Sequence, residues 1–248
     1  LDARADRIFR GALKLPDFPN PCMCIGGLPS RTYTDSTCLA ALLLIVDNQR
    51  KLEQQNGAQS PRPIDTFFSE PLLEVMEERF IHHHHNPKLA QVLVQIEVKT
   101  FIVLPSPGAV FANIFFSGVK EEAKVAQLIN IYSDWLVVLP SARESPNAIV
   151  VHADQVAADP VIIAKALSRF GLIGGRITEQ EVRTLFEQAI TMTPYISEAK
   201  YGKGYDPTGD IRKPSELDGI GEKFLLRHKG GAELIQSCMD ISKDIGLI

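Results

Sequence analysis

The chain has 248 residues, 45% apolar and 23% charged, with a formal net charge of −4. That is ordinary globular composition, with enough chain for a sizeable core. The mild acidity argues against a protein held on nucleic acid by bulk charge, though not against a local basic groove. The longest apolar run, Cys38–Val46, is too short to span a bilayer, so no membrane partner is expected. The N-terminus carries no secretory signal, and Cys22, Cys24, Cys38 and Cys238 are too scattered for a disulfide framework. Both features point to a reducing, cytoplasmic setting, with a virion as the other candidate location.

Residues 15–34 are punctuated by proline and glycine and read as a loop-like arm. A buried helix follows, with Ser36 as its candidate cap and Leu39, Leu42, Leu43 and Val46 along one side. A capping residue followed at once by proline then recurs, as Asn86-Pro87, Ser106-Pro107, Ser145-Pro146 and Asp159-Pro160, with Glu70-Pro71 as a weaker relative. Such pairs start helices. The cap's side chain accepts from an orphan amide, and proline fits the next position because its missing N–H would be unpaired there. A helix is therefore expected from Pro71, with Leu72, Leu73, Met76 and Phe80 on one face.

Residues 91–104 fit two patterns. Leu89, Val92, Leu93 and Ile96 follow helical spacing, while Val94, Ile96 and Val98 alternate as in a strand. The Asn-Pro start favours helix. Residues 119–139 form an amphipathic helix ended by Pro140, and Pro140 to Asn147 reads as a linker. Ala148–His152 is the best short strand, with a helical turn as its alternative. Asp159-Pro160 starts a helix that Gly171 caps, and Thr178 with Glu181 forms a capping box. Residues 193–215 read as a long loop and 232–245 as a final helix. The fold class is therefore mainly α, many-helixed and two-lobed, with at most a small β element at 91–104 or 148–152. An N-terminal lobe, 1–140, carries the proline-rich arm; a C-terminal lobe, 147–248, carries the 193–215 loop.

Chemistry-bearing motifs are sparse. His82 to His85 could offer two imidazoles to a metal, His82 and His84 being the candidates, but a solvated turn between helices explains the run. Cys22 and Cys24 form an off-pattern C-x-C pair, which Cys38 could extend to three thiolates. No metal or cofactor is expected. His152 and Asp154 follow the candidate strand, where catalytic groups gather in open α/β sheets, but no nucleophile motif accompanies them. The loop residues Lys200, Tyr201, Lys203, Tyr205, Arg212 and Lys213 combine phosphate-neutralising lysines with stacking tyrosines, which suits single-stranded nucleic acid or a protein partner.

These features point first to a non-enzymatic assembly protein of nucleocapsid or filament-coat type. It would be a self-associating homo-oligomer of helical subunits, with single-stranded RNA as a candidate partner. The arm 15–34 and the loop 193–215 would be exchanged between neighbours. The alternatives are a small α/β enzyme centred on His152 and Asp154, and a monomeric protein-binding adaptor.

Overall fold

A computed structural model describes residues 23–28, 30–60, 63, 81–116, 118–119, 121–201 and 214–244. The chain is mainly helical around a small parallel sheet. In order, the elements are β1 (Met23–Gly27), α1 (Arg31–Gln55), β2 (Ile81–His84), α2 (Pro87–Gln95), β3 (Thr100–Leu104), α3 (Pro107–Phe116), α4 (Glu122–Glu144), β4 (Ala148–His152), α5 (Ala153–Ala158), α6 (Val161–Arg169), α7 (Glu179–Tyr201), α8 (Pro214–Leu225) and α9 (Gly231–Asp244).

The four strands pair in parallel in the order β2-β1-β3-β4. Their alternation explains the sequence. Phe101 and Val103 of β3 face one side, with Ile25 and Val151, against α1, α5, α6 and α7. Ile102 and Leu104 face the other, with Ala148, against α2, α3, α4, α8 and α9. Because helices cover both faces, β3 is buried at all five positions and, from Phe101 to Leu104, reads as an unbroken apolar run. Helices on both faces come with a reversal of winding: the chain moves from β1 to β2, then returns past β1 to β3. The crevice between the carboxyl ends of β1 and β3 is thus the topological switch point.

Residues 91–104 contain both readings, the end of α2 followed by β3. The Asn86 side chain caps α2 through the amides of Lys88 and Leu89. The Ser106 hydroxyl caps α3 by accepting from the Ala109 amide at 3.1 Å. Asp159 accepts from the Val161 amide at the start of α6. Thr178 and Glu181 form the capping box that opens α7, and Gly171 closes α6 with a φ of 70°. Ser145-Pro146 departs from this rule. Ser145 accepts from the Asn147 amide in a turn that leads into β4.

Four further expectations are corrected. Ser30, not Ser36, caps the first helix; Ser36 lies inside it and bonds back to the Thr32 carbonyl. Pro140 does not end α4, which continues to Glu144 because Leu136, Val138, Leu139 and Ala142 are all buried along it. Residues 193–201 belong to α7 and α8 starts at Pro214, so the expected long loop shrinks, and residues 202–213 lie outside the described residues. The stretch 15–34 is no exchanging arm over its described part. It supplies β1, a central strand whose Cys24 and Ile25 are fully buried, and the start of α1. The helix expected from Glu70-Pro71 lies outside the described residues. Among the described residues, no helix is long and apolar enough to cross a membrane.

Candidate active site

In a parallel sheet all strands deliver their carboxyl ends to one edge. Here that edge carries, in spatial order, His85 after β2, Gly27 to Ser30 after β1, Ser106 after β3, and His152 with Asp154 after β4. Three inter-strand spacings make this row about 14 Å long.

The turn after β1 is sterically specified. Gly27 has φ of 153°, and a Cβ there would collide with the Val103 carbonyl oxygen and the Tyr33 ring. Only glycine lets β1 approach β3 this closely while the chain turns into α1. The Ser30 side chain accepts from the Tyr33 amide at 3.1 Å, and α1 carries no acidic residue in its first turn. A 25-residue helix thus points its positive end at the switch point, and its first acidic residue, Asp35, comes only after the first turn.

His85 borders this turn. Its Nδ1 lies 3.0 Å from the Gly27 carbonyl oxygen, which can only accept, so Nδ1 carries a proton; in the neutral ring the lone pair is then on Nε2. The ring packs against Tyr33 at 5.2 Å, and the Tyr33 hydroxyl donates to the Ile25 carbonyl. From behind, the indole of fully buried Trp135 donates to the His85 carbonyl oxygen at 3.3 Å. Ring and backbone of His85 are both held by elements of the core.

At β3, the Ser106 hydroxyl donates to the carboxylate of Asp218, which arrives from α8. Gly108 and Gly221 make this meeting possible. A Cβ on Gly108 would overlap the Asp218 backbone, and one on Gly221 would overlap the Gly108 carbonyl, so α3 and α8 cross backbone to backbone. Burial pushes the Asp218 carboxyl above its ordinary value; the Ser106 hydrogen bond opposes this, while the charge of Asp154 adds to it. Beneath, Tyr132 donates to the Pro105 carbonyl at 2.5 Å, and burial raises its hydroxyl well above the usual range.

His152 caps α5. Its Nδ1 lies 3.3 Å from the Asp154 amide and 3.3 Å from the Asp154 carboxylate. The amide needs a bare Nδ1 and the carboxylate a protonated one, so the ring nitrogen serves one partner or the other. Gln155 completes a capping box by accepting from the His152 amide. His152 and Asp154 therefore lie on the edge where they were expected, with His152 occupied as a cap.

The other sequence candidates do not converge. Cys24 packs among Leu89, Leu93 and Val98 on one face of the sheet, and Cys38 in the core on the opposite face. Cys22 lies outside the described residues. His82 and His84 belong to β2, an edge strand paired with β1, where a solvated turn was expected. Lys200 and Tyr201 sit in the last turn of α7; Lys203, Tyr205, Arg212 and Lys213 lie outside the described residues. Among the described residues no three His, Cys, Asp or Glu side chains are grouped to hold a metal ion. The reading from sequence missed His85, Ser106 and Asp218. In the sequence His85 is one of four consecutive histidines, and Ser106 signals only a helix cap.

These features define a mainly helical protein built on a small parallel sheet, with Gly27, His85 and Ser106 along the edge that holds its switch point. No protein-family model matches the chain, and no curated protein matches it. A solved structure of retinol dehydratase in complex with retinol and PAP is similar over 96% of this chain and 86% of that one, with a TM-score of 0.51 and 13% identity. A second, retinol dehydratase with androsterone and the inactive cofactor PAP, covers 88% and 85%, with a TM-score of 0.43 and 15% identity. At such identities the likeness is one of fold. It overturns the nucleocapsid, capsid or filament-coat subunit, and with it the structural, RNA-binding reading. The mainly helical chain is wound on a small parallel sheet, the fold it shares with that structure, and residues 23–27 of the supposed arm form the central strand β1.

Proposed function

We propose that this chain is a small α/β enzyme that binds a phosphate-bearing nucleotide at the β1–α1 turn and transfers a group from it to an acceptor hydroxyl. The observation that carries this reading is the His85–Gly27 hydrogen bond beside the N-terminus of α1. It sets a base-competent nitrogen next to an anion-binding helix end, at the switch point where such folds hold ligands. PAP, the ligand in the structure of similar fold, is the natural first probe.

In the proposed step, Nε2 of His85 removes the acceptor hydroxyl's proton as its oxygen attacks the group on the nucleotide. The transferred group ends on that oxygen, the nucleotide leaves with the bonding pair, and His85 gives its proton to solvent. Asp154 and His152 border the far end of the edge. They keep the role of a charged boundary there, while proton removal is assigned to His85.

Calorimetric titration with PAP tests the anion site through Ser30. Aspartate caps helices as well as serine, so Ser30→Asp keeps the fold while adding a negative charge. The expected result is saturable binding by the wild type and at least a tenfold loss in Ser30→Asp, with Ser30→Ala close to wild type. Equal affinity in all three would remove the helix end from the site.

A further inference from the structure

We propose that Asp218 is a positioning residue of this site: it orients the Ser106 hydroxyl at the carboxyl end of β3, so that ligand binding at the crevice depends on α8 being seated on α3. The inference rests on the nucleotide-binding reading above.

Ser106 borders the switch-point crevice, and its hydroxyl is committed in both directions. It accepts from the Ala109 amide at 3.1 Å and donates to Asp218. A serine that only capped α3 would leave its proton to rotate toward any acceptor. Here the proton is fixed on a carboxylate brought from another helix, and the lone pairs are fixed on the helix amide. The preceding carbonyl, of Pro105, is held from below by the fully buried Tyr132. The β3–α3 turn is therefore clamped on two sides by groups from α4 and α8.

The clamp explains the glycines. Gly108 lies two residues after Ser106, and Gly221 three residues after Asp218, one turn along its helix. The seam they form has no space for a Cβ on either side, so α8 has a single seating on α3, and that seating places the Asp218 carboxylate on the Ser106 hydroxyl. Simple helix packing would be served by alanine and a slightly wider crossing. The close approach is what the Ser106–Asp218 contact requires.

The test compares Asp218→Ala with Asp218→Asn, which restores an acceptor oxygen for Ser106. Two readouts are taken on the full chain: PAP affinity by calorimetry, and exchange of the Ala109 amide by hydrogen–deuterium NMR. Asp218→Ala is expected to weaken PAP binding about tenfold and to speed Ala109 exchange by a similar factor. Asp218→Asn is expected to recover most of both. A merely structural role would leave the two variants alike. Wild-type affinity and unchanged Ala109 exchange in Asp218→Ala overturn the inference while the nucleotide reading stands. If the wild type itself does not bind PAP, the nucleotide reading falls, and Asp218's role in binding falls with it.

Discussion

Ser106 and Asp218 are 112 positions apart, yet the Ser106 hydroxyl donates to the Asp218 carboxylate across the seam between α3 and α8. The contact joins the cap of one helix to the middle of another, at the edge where the ligand crevice opens. Its cause is the pair Gly108 and Gly221, which let the two backbones touch. Helix propensity alone says that Gly221→Ala should stabilise by about 1 kcal/mol. The seam reverses the sign, because the added methyl meets backbone that cannot move aside. Gly221→Ala should cost about 2 kcal/mol or more, read from the urea midpoint.

Asp218 also makes a pH prediction. Its carboxyl titrates above its ordinary value, first through burial and then through the charge of Asp154, with the Ser106 hydrogen bond and, less, His152 acting in the opposite direction. A raised acid favours the fold fully below its unfolded pKa, and that contribution is lost as pH rises through the folded one. Asparagine keeps the acceptor for Ser106 and never ionises. Asp218→Asn should therefore match the wild type in acid and melt progressively higher above the ordinary carboxylate range. A melting-temperature difference that is flat with pH would contradict the burial argument.

Glu181 has the opposite sign. Arg50 donates to both its oxygens, at 3.1 and 2.7 Å, and holds its carboxyl at about 2, below the ordinary 4.5. A depressed carboxylate contributes stability above its unfolded pKa and loses it as pH falls through the folded value. Arg50 is nearly buried and Glu181 partly exposed, so Glu181→Gln should cost about 2 kcal/mol at neutral pH. The cost should shrink between pH 4.5 and about 2, as followed by denaturant titration.

Much of this was readable from local chemistry. Asn86, Ser106, Asp159, Thr178 with Glu181, and Gly171 act as their residue types predict, because a cap needs only a few neighbouring residues. The parallel sheet was harder to read, for three reasons. β1 carries Gly26 and Gly27, which look like loop punctuation, yet Gly27 is needed for close approach to β3. β2 is an edge strand of one isoleucine and three histidines, with no apolar alternation to reveal it. Parallel pairing also leaves no short hairpin signal in the sequence. The site was less legible still, since Asp218 reaches Ser106 only through a helix crossing that no spacing encodes.

One cap breaks the glycine rule. Glu97 follows the last residues of α2 at φ of 64°, while the Val98 amide bonds to the Leu93 carbonyl and the Glu97 amide to the Val94 carbonyl. This is the Schellman pattern, with a β-carbon at the position that favours glycine. Glu97→Gly should raise stability by about 1 kcal/mol in a denaturant titration. An unchanged or lower midpoint would mean that the Glu97 side chain contributes more than its strain costs.

The most direct test of the proposed site is hydrogen–deuterium exchange of the chain with and without PAP. The account predicts slowed exchange at the start of α1, from Ser30 to about Thr34, together with His85 and the turn at Ser106. Protection confined to other surfaces, or none at saturating PAP, would contradict it.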